Sequence, residues 1–331
     1  MRLARTVVAF FVGALARAAG LLGCSSRING VIIRHASLND AAPDAALLIM
    51  GHSRTMTSWR AIAARLVAEG FRVITLDNRD VGLSQRFDDA VPEPYPPKEG
   101  VCAYTLDDMA DDAVGVLDHY GIDRAHIVGA SMGGLIAQII ACRQPARCRS
   151  LVLIMTAASI NDAVGHTASA DGGAFLTSLW HAIEPGPQRG VSLAQFIEDR
   201  APYWALLNTD AAYPHMSQEA SVAVQEIDII DFLRGGVDWQ RTGADRQTLA
   251  INEWERRHGD AHTRELARVT APALVLHGRH DPLVGVAAGR SLAQQLPSSR
   301  FLEYLGGHNF GNHPTVTRLL LAAMVEHMHA H

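Results

Sequence analysis

The chain is poor in cysteine, with four among 331 residues: Cys24, Cys102, Cys142 and Cys148. None stands in a C-x-x-C, and a structural zinc site needs about four ligands at tighter spacing, so linear spacing excludes a zinc motif and no metal is expected. Cys142 and Cys148 lie close in sequence, but a helix across them would hold their Cα atoms too far apart to bridge, so buried thiols are expected. Basic residues are not in excess either. Lys+Arg numbers 29 against Asp+Glu 34, a formal charge of -5, which leaves no electrostatic footprint for nucleic acid. Neither G-x-x-x-x-G-K-S/T nor G-x-G-x-x-G occurs, so nothing marks a phosphate cradle or a nucleotide cofactor. No period of 20–50 residues recurs, which excludes a solenoid or a propeller. What is present is an ordinary globular balance, 48% hydrophobic and 19% charged. A chain this long buries roughly 75% of its unfolded surface and holds a core without disulfide or metal staples.

The first 23 residues read as a leader apart from the fold. Arg2 and Arg5 form a short basic region, and Thr6–Ala16 (TVVAFFVGALA) is an apolar run of signal-peptide length. The run is too short to span a bilayer, and Arg17 interrupts it at a cost of roughly 2.5–3.5 kcal/mol if buried mid-membrane. Leu21-Leu22-Gly23-Cys24 then resembles a bacterial lipoprotein cleavage box, with Cys24 as the lipidated first residue of an exported, membrane-anchored protein. The alternative is a cytoplasmic protein with an apolar N-terminal helix.

Beyond the leader, short apolar runs alternate with helical patterns. Ala45–Met50, Phe71–Leu76, Ala125–Val128, Ser150–Met155 and Ala273–Leu276 suit strands of a parallel sheet buried on both faces, and Phe301–Tyr304 is read as the last strand. Trp59–Glu69 is an amphipathic helix stopped by Gly70. Leu106–Tyr120 opens after Thr105 with Asp108 three residues on, a capping box, and ends at Gly121. Gly134–Cys142 is a third helix. This alternation predicts a doubly wound, mostly parallel α/β sheet. It breaks between residues 160 and 268, where Ser192–Leu207 and Gln218–Leu233 are the clearest helical patterns. The division expected is therefore a core at 24–159 and 269–331 with a helical lid, 160–268, inserted between core strands. The lid holds Trp180, Trp204, Trp239 and Trp254, four of the five tryptophans. At least half of them are expected to be lid core, and any that face the sheet would wall an apolar substrate pocket.

Chemistry concentrates at Gly129-Ala130-Ser131-Met132-Gly133, a G-x-S-x-G placed directly after one strand and before a helix. A strand–turn–helix elbow forces tight backbone angles on Ser131 and demands small flanking residues. It exposes Ser131 Oγ at a helix N-terminus, where the dipole favours negative charge. A serine hydroxyl needs a base. In sheets with this elbow the chain order is serine, acid, histidine. His308 follows the last strand, and Asp281 follows Ala273–Leu276, both at C-terminal strand ends where an open α/β sheet places its site. His277 and His280 are rival bases near Asp281, and Asp162 is the second-choice acid. The oxyanion donors expected are the backbone N–H groups of Met132 and His52, with Gly51 letting the second backbone approach. Asp77 and Arg79 are read as structural ties beneath the site. His327, His329 and His331 are read as a frayed, solvated tail.

These motifs resemble the α/β-hydrolase superfamily, and within it the aclacinomycin methylesterase-like esterases. The matching segments are IMGHSRTMTSW (Ile49–Trp59), FRVITLDNRDVGLS (Phe71–Ser84), YTLDDMADDAVGVLD (Tyr104–Asp118), HIVGASMGGLIAQ (His126–Gln138) and LVLHGRHDPLV (Leu274–Val284). The resemblance runs from about Arg27 to about Pro314 and is weakest in the lid. It implies cofactor-free hydrolysis of carboxylic esters, methyl esters included, through Ser131, Asp281 and His308, with a small-molecule ester as the partner. Other chemistry on the same residues stays open: thioesterase, lactonase, aminopeptidase, acyltransferase or cofactor-free haloperoxidase, or a non-catalytic ligand-binding member. Two departures from the family stand out. His52, Ser53 and Arg54 replace a small apolar loop and make the pocket mouth more polar, and Asn309-Phe310-Gly311-Asn312 follow His308 in place of an acidic-apolar step.

Overall fold

The computed structural model describes residues 23–87, 102–165, 241–281, 283–308 and 314–331. The leader up to Leu22, the patterns Ser192–Leu207 and Gln218–Leu233, Trp180, Trp204, Trp239 and Asn309–Asn312 lie outside the described residues.

The apolar runs form strands β3 (Ala45–Ile49), β4 (Arg72–Leu76), β5 (Ala125–Ala130), β6 (Cys148–Ile154), β7 (Ala273–Gly278) and β8 (Ser299–Tyr304). Two earlier strands, β1 (Cys24–Ile28) and β2 (Val31–Leu38), were not expected. All eight lie in one sheet in the order β1-β2-β4-β3-β5-β6-β7-β8. β4, β3, β5, β6, β7 and β8 run parallel, while β2 pairs antiparallel with β1 and β4. The β1–β2 turn is Asn29-Gly30, both at positive φ (48° and 85°), with Ile28 opposite Val31. An Asn-Gly pair at positive φ is what a two-residue hairpin requires.

Alternation along the strands divides the core between the two faces. Leu47, Ile49, Ile74, Ile127, Leu153 and Val275 point to one side. There they meet helices α2 (Leu106–His119), α3 (Met132–Arg143), α5 (Arg241–Leu266) and α6 (Val286–Gln295). Leu48, Val73, Val128, Val152 and Leu274 point to the other, against α1 (Arg60–Ala68) and α7 (Pro314–His329). Between them, α4 (Ile160–Gly165) follows β6. Near-complete burial on both faces explains why β3 to β7 read as continuous apolar runs rather than alternating ones, whereas the edge strand β8 is exposed or half-buried along most of its length. The capping box of α2 is formed: Thr105 N–H donates to Asp108 Oδ2 at 2.7 Å.

Two segments behave differently from the sequence reading. His327 and His329 belong to a helix and not to a frayed tail, whereas His331 lies past the helix and is exposed. α7 extends to His329, with Leu320, Met324 and Met328 buried in the second core, and His327 is itself buried. The His329 ring lies 4.8 Å from that of Phe71. The apolar stripe of α7, not the polar residues between its members, decides the outcome. α5, inside the stretch assigned to the lid, packs on the core: its Trp254 and Leu266 belong to the first cluster. None of the four cysteines forms a disulfide, and Cys148 is buried. Among the described residues, no helix is long and apolar enough to cross a membrane.

Candidate active site

Ser131 sits between β5 and α3 at φ 54° and ψ -122°. This left-handed backbone costs a non-glycine residue about 1–3 kcal/mol and persists only where its surroundings enforce it. The enforcement is visible. Ser131 N–H donates to Ile154 O at 2.9 Å, Thr156 Oγ1 donates to Ser131 O at 2.9 Å, and Gly134 N–H closes on Ser131 O at 2.8 Å. The glycines are required by close approach: a Cβ on Gly133 would overlap Ile49 O, one on Gly129 would overlap Gly133 O, and one on Gly134 would lie 2.6 Å from Thr156. β5 runs two residues further than its apolar pattern suggests, carrying the chain straight into the elbow.

The loops after β7 and β8 bring the other two groups to the serine. Arg279 N–H donates to Tyr304 O (2.9 Å) and His280 N–H to Gly306 O (3.0 Å), lacing the two strand ends together. Gly278 permits this, since a Cβ there would come within 2.5 Å of both Gly306 O and Gly307 O. His308 Nε2 then lies 3.1 Å from Ser131 Oγ, and His308 Nδ1 2.7 Å from Asp281 Oδ2. Asp281 Oδ1 accepts the backbone N–H groups of Leu283 and Val284, each at 2.9 Å. Burial of Asp281 opposes its charge, but the His308 and His277 imidazoles outweigh it and hold the carboxyl well below the usual carboxylate range. An ionised Asp281 accepts the Nδ1 proton, so Nε2 faces Ser131 Oγ with its lone pair.

The rivals are placed elsewhere. His277 is buried, with Nε2 2.7 Å from Val284 O and 3.5 Å from Asp281 Oδ2. His280 is exposed. Asp162 lies in the first turn of α4 and takes its N–H bond to Ser159 Oγ, while the His308 Nδ1 position is filled by Asp281.

The loop after β3 approaches the serine from the opposite side. A Cβ on Gly51 would stand 3.0 Å from Ser131 Cβ, so this backbone touches the elbow. His52 turns its side chain away, Nε2 lying 2.8 Å from Ala244 O and 3.1 Å from Thr248 Oγ1 of α5. Its burial lowers the imidazole pKa to about 4, so the ring is neutral near pH 7. Ser53 N–H donates to Gln247 Oε1 at 2.7 Å, and Asn78 Nδ2 donates to Met50 O at 2.9 Å. Asp77 and Arg79 act as ties, as their positions suggested. Asp77 Oδ1 accepts the Met56 N–H (2.7 Å), and Arg79 makes a two-pronged ion pair with Asp112 (2.6 and 3.0 Å).

One pair went unread in the sequence. Asp80, at φ 66°, meets Arg246 of α5 in a buried two-pronged ion pair (2.9 and 2.6 Å) and accepts Tyr104 OH at 2.6 Å. It anchors the helix that covers His52 and Ser53. DNRDVGLS pointed to the loop, but nothing along the chain singles out Arg246 among the other arginines.

The sequence model describing the alpha/beta hydrolase fold matches residues 46–311, four-fifths of the chain. The protein belongs to this family. The alpha/beta hydrolase is similar to rhodomycin D methylesterase DauP from a Streptomyces species, at 28% identity over 80% of this chain and 85% of that protein. It is similar to rhodomycin D methylesterase DnrP of Streptomyces peucetius at 27% over the same shares. Among solved structures, a thermophilic esterase from Thermogutta terrifontis superposes with a TM-score of 0.65 at 21% identity, covering 92% of this chain and 96% of that one. That likeness concerns the fold alone. The sheet order and the β5 elbow of this chain are therefore those of an alpha/beta hydrolase.

Proposed function

We propose that the protein hydrolyses carboxylic esters, with Ser131 as nucleophile, His308 as general base and then acid, and Asp281 as the group that fixes and stabilises the imidazole. One observation carries the reading: Ser131 Oγ, the His308 ring and Asp281 form a continuous hydrogen-bonded chain on a strained elbow. His308 Nε2 takes the hydroxyl proton as Oγ attacks the ester carbonyl, and the tetrahedral oxyanion forms. The imidazolium, held by ionised Asp281, then protonates the departing alcohol and leaves an acyl group on Ser131. Water, deprotonated by the same Nε2, releases the acid.

The oxyanion donors in this reading are the N–H of Met132, in the first turn of α3, and the N–H of His52, in the Gly51 loop that touches the elbow. Each such donor contributes on the order of 10²–10³ in kcat. The names of the Streptomyces relatives favour a methyl ester as the bond cleaved. The proposal also includes export and lipidation at Cys24, supported by the Leu21–Cys24 box, and a cell-derived protein whose intact mass retains Met1–Gly23 would overturn that part.

The test is hydrolysis of methyl and p-nitrophenyl esters of increasing acyl length, beside Ser131→Ala. Turnover that falls at least about 10⁴-fold in the variant, with thermal stability unchanged, is expected. Undiminished turnover in the variant, or none by a folded wild type on any ester, would overturn the reading.

A further inference from the structure

The far end of α3 carries a second group of reactive side chains. Cys142 lies on its last turn, about 16 Å along the helix from Ser131 at roughly 1.5 Å per residue. There α3 meets the C-terminal half of α5 around a cavity of about 360 Å³, whose walls include Asp107, Cys142, Trp254, His258, His262 and Glu265. A Cys142 Sγ, a His262 ring nitrogen and a Glu265 carboxylate oxygen all lie within 4.8 Å of one another.

We propose that Cys142, His262 and Glu265 bind a divalent transition metal of the zinc class between α3 and α5, in an open site of three protein ligands. The donor set selects the metal: a thiolate and an imidazole suit zinc and its neighbours and are poor ligands for magnesium or calcium. Bonds of about 2.0–2.3 Å in a tetrahedron set donor atoms roughly 3.3–3.8 Å apart. The three donors must therefore draw in by at most roughly 1–1.5 Å on binding, and of the three Glu265 is the exposed one. Water from the open cavity supplies the fourth ligand.

An outer partner fixes the tautomer of the ligand histidine. His262 Nε2 lies 3.3 Å from Gln138 Oε1, and Gln138 Nε2 donates to Ala157 O at 3.0 Å, which fixes the amide with its oxygen toward the ring. His262 therefore carries its proton on Nε2 and leaves Nδ1 with the lone pair, the arrangement in which metal-ligating histidines are held by an outer partner. Of the other polar groups lining the cavity, Arg143 pairs with Asp107 at 2.9 Å, and His258 Nε2 stands 3.5 Å from Asp107 Oδ2. Linear spacing carries no zinc motif because the thiol and the His262–Glu265 pair come from two helices far apart in the chain.

The test is a Co²⁺ titration of the chelator-treated full-length protein, followed by displacement with Zn²⁺. One tetrahedral Co²⁺ per chain with a thiolate-to-cobalt charge-transfer band is expected, and stoichiometric Zn²⁺ should raise Tm. Removing the buried His262 ring endangers the fold, so the variants are Cys142→Ser and the exposed Glu265→Gln. The first should lose the band while keeping ester turnover, and the second should bind Co²⁺ at least about tenfold more weakly. Absence of the band, or binding that Cys142→Ser leaves unchanged and surface histidines therefore supply, would overturn the proposal.

Discussion

Ser131 and Asp281 are held in place by different means. The serine announces itself because an elbow needs glycines on both sides, so its geometry is written locally as Gly129 and Gly133. Asp281 and His308 are written only as an order along the chain, and their meeting depends on the laced loops after β7 and β8. Asp80 and Arg246 were not readable, because an ion pair across 166 residues leaves no local trace. At this scale the account predicts that Asp281→Asn lowers kcat by about 10⁴, since an amide in place of the carboxylate allows the wrong imidazole tautomer. The Leu283 and Val284 N–H groups keep an oxygen acceptor in that variant. The expected signature in steady-state kinetics and thermal melts is therefore a large loss of kcat beside a small loss of Tm. A variant within tenfold of wild type would exclude Asp281 from the role.

Elements were legible where burial made them uniform. The parallel strands β3 to β7, covered on both faces, appear as apolar runs, and α2 shows both its cap and its stripe. β1 and β2 were missed because an edge hairpin with one wetter face dilutes the apolar signal, although Asn29-Gly30 marks its turn. α7 was missed because His327, His329 and His331 read as a polar tail, although Leu320, Met324 and Met328 recur every four residues along one face. Two element-level outcomes follow. Gly→Ala inside a helix normally stabilises by about 1 kcal/mol. Gly133→Ala, whose Cβ would overlap Ile49 O, should instead abolish activity and lower Tm or prevent folding. Arg246→Met leaves Asp80 buried without its cation and should cost roughly 3–5 kcal/mol in denaturant unfolding. Adding Asp80→Asn should recover part of that loss, and a double variant no more stable than Arg246→Met would argue against the pair as the anchor of α5.

For the whole molecule, acid sensitivity is built into buried imidazoles. Burial lowers the pKa values of His35, His52, His126 and His262 to about 4. Each is held neutral: His35 Nδ1 is 2.7 Å from Tyr120 OH, and His126 Nδ1 is 2.8 Å from Ser150 Oγ. Between about pH 6.5 and 4 the unfolded chain takes up protons that the folded chain refuses, so stability is full above that window and falls as pH drops through it. The limiting slope is about 1.4 kcal/mol per pH unit for each fully buried group. Thermal melts from pH 7.5 to 4.5 should show Tm falling steadily below about pH 6.5, and a flat Tm across that range would contradict the neutral burial of these rings.

The central claim, that Ser131 is a nucleophile activated by His308, is tested most directly by covalent trapping. Wild-type protein and His308→Ala are treated with an organophosphonate ester, digested and mapped by mass spectrometry. The account predicts one phosphonyl group per wild-type chain, on the peptide containing Ser131, with ester turnover lost in proportion, and no labelling of His308→Ala on the same timescale. Labelling at another residue, or full ester turnover by a chain labelled at Ser131, would contradict it.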